Sequence, residues 1–214
     1  IRNLATIVKK YSTKNLVIVV SAMAKTTNAL EETLMHWMNG DLTALERKVN
    51  EVEQFHINAA LELVDGNKNH VLMAELQTLF TQLKNQFNQV PSKGYDYHYD
   101  QVVSFGELLS TRIVSHYLNY IGIANSLVDA RRCLRSDTSY REGVIDETTS
   151  SYLCQREFDF TSANIYLTQG FIAGTEVGTT TTLGREGSDY TAAILANLLD
   201  AQDVTIWKDV AGVL

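Results

Sequence analysis

The sequence predicts an α/β fold around a mainly parallel sheet. Short apolar runs at Leu16–Val20, Ile123–Val128, Asn164–Gln169 and Val204–Trp207 alternate with longer stretches of helical periodicity. The first run, LVIVV, shows no polar alternation, as expected of a strand covered on both faces. A single proline, Pro91, in 214 residues leaves long helices uninterrupted.

The chain opens in an apolar-periodic run (Ile1, Leu4, Ala5, Val8) with no capping residue ahead of it, and it stops at Leu214, shortly after a glycine. Both ends read as cuts, so a piece of a longer chain is expected. After Leu16–Val20, the small, hydroxyl-rich stretch Ser21–Asn28 reads as a loop that caps the next helix through Thr26, Thr27 or Asn28. Helices are expected near 29–39, 42–64 and 70–88, with Leu72, Leu76, Leu79, Leu83 and Phe87 on one face of the last. Together, 29–89 would form a helical excursion or subdomain.

Pro91–Asp100, with Gly94 and three tyrosines, is expected to be a loop, followed by a helix around 102–120 that repeats Phe105, Leu109, Ile113 and Tyr117. Beyond Ile123–Val128, residues 131–150 read as irregular, with a strand at Val144–Ile145 and a helix over 146–157. Five of the twelve glycines, Gly170, Gly174, Gly178, Gly184 and Gly187, then crowd one stretch. Tyr190–Ala201 is apolar on nearly every side and reads as a buried helix. Val204–Trp207 would close the described order as a strand, with Lys208 and Asp209 after it.

Composition narrows the function. A 23.9 kDa chain with 45% hydrophobic and 20% charged residues can bury roughly 70% of its unfolded surface without a disulfide or metal staple. No apolar run approaches the ~18 residues of a membrane span. A net charge of −7 and a pI near 5.2 argue against a nucleic-acid partner. Cys133 and Cys154 fit neither a disulfide framework nor a CxxC site, in keeping with a cytoplasmic protein. Cys133 lies between Arg132 and Arg135, which would favour its thiolate; the plainer reading is a half-buried packing residue. His36, His56, His70, His98 and His116 show no HxxxH or HExxH spacing, so no dedicated metal site is expected, and no GxSxG elbow is present. Trp37 and Trp207 read as core.

Four stretches carry potential chemistry. In Gly184-Arg185-Glu186-Gly187-Ser188-Asp189, glycines admit close approach to a ligand, the following helix offers its N-terminal amides to an anion, and Arg185 can clamp a carboxylate or phosphate. An ordinary turn with Ser188 or Asp189 as N-cap accounts for the same residues. Glu107, in SFGELLS, is either a site carboxylate or an acid stabilised by the helix dipole. Ser21–Asn28 and Asp209 follow strand ends, where open α/β sheets bind ligands; capping explains them equally well.

Taken in order, VIVVSAMAKTTN (17–28), SFGELLS (104–110), QGFIAG (169–174), TLGREGSDYTAA (182–193) and IWKDVAGV (206–213) resemble the aspartokinases of the amino-acid kinase superfamily, across essentially the whole chain. The resemblance implies a three-layer αβα sandwich of the carbamate kinase type. It also implies ATP-dependent phosphorylation of the L-aspartate side-chain carboxylate to 4-phospho-L-aspartate, the committed intermediate toward lysine, threonine and methionine. By segment match, Ser21 and Thr27 line the substrate site, Glu107 faces the substrate ammonium, and Arg185 holds a substrate carboxylate. Phe171 lies beside that site, Ser188 and Asp189 order it, and Lys208 and Asp209 contact the nucleotide. Asp189 and Arg185 are the catalytic candidates.

ATP and Mg²⁺ are the implied cofactors, and a homo-oligomer is expected of the full-length protein. The family commonly has Gly where Glu186 stands and Thr where Lys208 stands. Its opening strand with a Lys-Phe-Gly-Gly loop, the end of its nucleotide site and its regulatory domains are not in this sequence. Residues 1–214 therefore read as an incomplete catalytic domain, expected to be inactive alone. A sister kinase acting on glutamate and a non-catalytic amino-acid or nucleotide sensor on the same scaffold are the competing readings.

Overall fold

The computed structural model describes residues 1–88 and 90–207. Helix α1 (Arg2–Tyr11) leads into strand β1 (Leu16–Val20). Helices α2 (Thr26–Met38), α3 (Leu42–Leu63), α4 (Val71–Gln86), α5 (Tyr95–Val103) and α6 (Phe105–Tyr120) follow, with no strand between them among the described residues. Then come β2 (Ser126–Val128), α7 (Ala130–Cys133), β3 (Arg135–Ser136), α8 (Glu147–Glu157), β4 (Ile165–Gln169), β5 (Ile172–Thr175), β6 (Thr180–Thr182) and α9 (Gly187–Leu198).

Strands β1, β4 and β2 form a parallel sheet in that order, with Leu16 opposite Ile165 and Ser126 opposite Tyr166. Strand alternation sorts their side chains onto two faces. Leu16, Ile18, Val20, Leu127, Ile165 and Leu167 pack with Ala5 and Val8 of α1 and Val114 and Leu118 of α6. Val17, Val19, Val128 and Tyr166 pack with Leu153 of α8 and Ile194, Leu195 and Leu198 of α9. The result is the expected αβα sandwich. Beside it, β3 pairs parallel with β5, and β5 antiparallel with β6.

The helices over 26–86 share a core with α5 and α6, in which Leu30, Leu34, Leu72, Leu76, Phe80, Leu83, Val103 and Leu109 are fully buried. Each such side chain contributes about 1.5–3 kcal/mol through burial. The fully buried residues of α4 are Leu72, Leu76, Phe80 and Leu83; Leu79 and Phe87 are half-buried and pack against the same core, so the expected face is the inward one, with Phe80 added to it.

Several expectations are corrected. Thr26, Thr27 and Asn28 lie inside α2, whose N-cap Lys25 makes no side-chain capping bond; the Thr26 hydroxyl instead donates back to Met23 O at 2.6 Å. Tyr95–Asp100 is helical, because Tyr99, Asp100, Val102 and Val103 share a buried face. Val144–Ile145 makes one isolated bridge, Ile145 to Ser136. The β5–β6 hairpin was masked by its glycines and threonines. Helix α9 starts at Gly187 and is amphipathic, with Tyr190, Ala193 and Asn197 exposed. Val204–Trp207 forms no strand: Val204, Ile206 and Trp207 are exposed and pair with no described strand. Trp37 is core, whereas Trp207 is 63% exposed. Cys133 is fully buried, and its contact with Cys154 together with burial pushes the thiol up rather than down. Lys208 and Asp209 lie outside the described residues.

Candidate active site

The carboxyl ends of β1 and β4 open, with β6, into a cleft of roughly 970 Å³. Such ends are where open parallel sheets bind ligands. Ser21, Thr27, Glu107, Phe171, Arg185, Ser188 and Asp189, far apart along the chain, all line it.

Glu107 stands in the first turn of α6 and is only 3% exposed. Gly106 makes this burial possible, since a Cβ there would come within 2.9 Å of Ala22 Cβ. The helix start therefore lies against the loop that leaves β1. In that position Ala22 N–H donates to Glu107 Oε1 at 3.1 Å, while Oε2 is buried with no hydrogen-bond partner among the described residues. Burial pushes the carboxyl up to about 8, against the smaller opposing effect of the Ala22 bond. A dipole-stabilised surface acid has neither the burial nor the orphaned oxygen. A cation brought into the cleft would satisfy both.

The glycine-rich segment is held by close backbone packing. A Cβ on Gly170, at the end of β4, would meet Ser188 Oγ at 2.5 Å and Ser188 Cα at 2.9 Å, so this glycine seats the first turn of α9 on the sheet end. Phe171 N–H donates to Thr191 Oγ1 at 2.9 Å, and Leu183 N–H donates to Phe171 O at 2.8 Å. Ser188 and Asp189 lie inside α9; the N-cap is Glu186, which makes no side-chain cap and has φ +58. Glycine adopts that left-handed backbone without strain, whereas here a glutamate does so. Arg141 and Phe171, which also line the cleft, have φ +70 and +68. A left-handed residue with a side chain costs about 1–2 kcal/mol, and such strain gathers at ligand sites.

Sequence reasoning missed the Asp100 network. Asp100 is fully buried; Oδ2 accepts from Arg141 N–H and Thr182 N–H, both at 2.9 Å, and Oδ1 from the Thr182 hydroxyl at 2.7 Å. Burial still pushes its carboxyl up to about 6, the three bonds opposing. Asp100 thereby ties α5 to β6 and to the Arg141 turn. No sequence signal marked it, because Asp100 sits in a segment of loop-like composition and reaches Thr182 and Arg141 only once Tyr95–Val103 has folded as a helix.

Among the described residues, no three His, Cys, Asp or Glu side chains converge on a possible metal position. The described residues thus do not supply a protein cage for Mg²⁺. No described helix is long and apolar enough to cross a membrane.

A parallel sheet between helix layers, with the start of α9 and a buried acid gathered at its strand ends, is an α/β scaffold with a small-molecule cleft at its carboxyl edge. The chain belongs to the amino acid kinase family, whose pattern matches residues 1–214. It is 32% identical over 219 residues to the chloroplastic bifunctional aspartokinase/homoserine dehydrogenase 2 of Arabidopsis thaliana, covering 100% of this chain and 24% of that protein. It is 33% identical over 215 residues to bifunctional aspartokinase/homoserine dehydrogenase 2 of Escherichia coli (strain K12), covering 98% and 25%. The solved structure of E. coli aspartokinase III in complex with aspartate and ADP (R-state) superposes with a TM-score of 0.86 at 28% identity, over 97% of this chain and 45% of that one. The chain thus spans about a quarter of the length of these curated relatives.

Proposed function

We propose that residues 1–214 are part of the catalytic domain of a longer kinase that transfers the γ-phosphoryl group of ATP to the side-chain carboxylate of L-aspartate. The observation that carries this reading is the buried, half-unpartnered Glu107 lining the same cleft as Arg185. An amino acid presents one ammonium and two carboxylates, so its recognition needs an acid and a cation around one space. The aspartokinase relatives, and the aspartate and ADP named for the E. coli structure, support the choice of substrates.

In this reading Glu107 Oε2 accepts from the substrate ammonium and ionises as it does so. Arg185 holds a substrate carboxylate through its guanidinium fork. Ser21 and Thr27 supply hydroxyls, Phe171 closes one side of the pocket, and Ser188 and Asp189 order it. The acceptor carboxylate, with a pKa near 4, is already ionised at neutral pH and needs no general base. Its oxygen forms a bond to the γ-phosphorus while the bond to the β,γ-bridging oxygen breaks, releasing ADP and an acyl phosphate. What the protein must supply is relief of anion–anion repulsion, by positioning, cations and the amides at the start of α9. Lys208 and Asp209 are assigned to the nucleotide by the family resemblance alone. The same resemblance brings Mg²⁺ with the nucleotide and self-association of the full-length protein, and the amino-acid balance favours a cytoplasmic compartment.

The test is to incubate the full-length protein with ATP, hydroxylamine and either L-aspartate or L-glutamate. Aspartate-dependent hydroxamate is the expected product. Hydroxamate from glutamate alone would favour the sister kinase, and ligand binding without any hydroxamate would favour a sensor.

A further inference from the structure

Arg141 lies outside all five segments that carry the family resemblance, yet it lines the cleft. Of the described residues lining that cleft, Arg141 and Arg185 are the cationic ones, against Asp96, Glu107, Glu142, Glu186 and Asp189. An amino-acid dicarboxylate and a polyphosphate brought together in such acidic surroundings need more than one guanidinium.

The Arg141 side chain is held ready for a ligand. Its backbone N–H is fixed on buried Asp100. Its guanidinium lies 4.5 Å from the ring centre of Tyr99 and 5.7 Å from that of Tyr95, a cation–π seat on α5. One contact, from its Nη1 to Asp96 Oδ1 at 3.3 Å, is to a carboxylate that is itself 61% exposed. A guanidinium has five N–H donors, this one has a single carboxylate partner among the described residues, and its side chain is 44% exposed at the cleft. Arg131 differs, because both Asp129 oxygens occupy its Nε and Nη2 at 2.9 and 2.6 Å. The left-handed backbone of Arg141 (φ +70) favours glycine, yet a long cation stands there.

We propose that Arg141 is a second oxyanion-binding residue of the cleft, taking a carboxylate of the amino-acid substrate or a phosphate of the nucleotide. The inference rests on the kinase reading of the cleft given above. It is tested by calorimetric binding of L-aspartate and, separately, ADP to the full-length protein, in wild type, Arg141→Gln, Arg141→Gly and Arg141→Lys. Glycine suits the local backbone, so that variant removes the guanidinium without adding strain.

The Gln and Gly variants are expected to bind one of the two ligands at least ~10-fold more weakly, as for loss of a charge-assisted hydrogen bond, with partial recovery in the Lys variant. The ligand affected identifies the source of the oxyanion. Wild-type affinity for both ligands in every variant overturns the inference and leaves the kinase reading intact. Equal loss of both ligands in all three variants marks a purely structural residue and overturns it too. A wild-type protein that binds neither ligand overturns the kinase reading and this inference with it.

Discussion

Replacing Glu107 by Gln is expected to stabilise the ligand-free protein at neutral and alkaline pH, at the expense of its ligand. Burial raises the Glu107 carboxyl from 4.5 to about 8, so the folded chain holds this proton more tightly than the unfolded chain. Stability associated with the group is therefore complete below about 4.5, declines as pH rises, and is lost once pH passes about 8. The span is about 3.5 pH units, which at 1.36 kcal/mol per unit is on the order of 5 kcal/mol; relaxation around a charged side chain would reduce it to about 3–5 kcal/mol. Glutamine keeps an oxygen for Ala22 N–H and cannot ionise, so its stability should not fall over this range on that account. Asp100, raised to about 6, contributes equally to both proteins and cancels in the difference. Urea denaturation of wild type and Glu107→Gln from pH 5 to 9 measures the effect. The two curves should diverge as pH rises, with the variant the more stable. Parallel curves would refute the claim that an ionisable group is held here away from water.

Two other substitutions probe the backbone of the site. Glu186→Gly should stabilise the protein by about 0.5–1 kcal/mol, since relief of a left-handed residue outweighs the looser unfolded chain; a lower denaturation midpoint would show that the glutamate side chain matters more than its φ of +58. Gly170→Ala would drive a methyl group to within 2.9 Å of Ser188 Cα, forcing α9 off the strand end. It should cost about 1–3 kcal/mol of stability and weaken aspartate binding, and unchanged affinity would separate the α9 start from the site.

The sandwich was legible in the sequence because its signals are local. LVIVV has the β-branched content of a strand, and β1 runs from Leu16 to Val20 as expected, but it ends the described strand order and its five residues are half-buried rather than covered on both faces; the fully buried strand is β4. Three long helices follow from the absence of proline and the spacing of Leu72, Leu76 and Leu83. What escaped depends on contacts between distant segments. Tyr95–Asp100 has the composition of a loop and becomes a helix because Tyr99 and Val102 find a core to fill. Thr180–Thr182 is a strand because Ile172–Gly174 offers it a partner. Val204–Trp207 has the β-branched content of a strand, but no described strand lies beside it.

The same divide runs through the site. Motif order pointed to Ser21, Thr27, Glu107, Phe171, Arg185, Ser188 and Asp189, and these residues line one cleft. The burial of Glu107 was not legible, because it follows from Gly106 pressing α6 against Ala22. Nor was Arg141, whose position depends on a carboxylate forty-one residues earlier.

The account turns on Glu107 serving a ligand ammonium, and aspartate and succinate differ by that group alone. Calorimetric affinities of the two for the full-length protein, in wild type and Glu107→Gln, test this most directly. Wild type should prefer aspartate by at least ~10-fold, in line with a charge-assisted bond to a buried carboxylate, and the variant should bind both with similar affinity. Equal affinities in wild type, or a preference for aspartate that survives in Glu107→Gln, would contradict it.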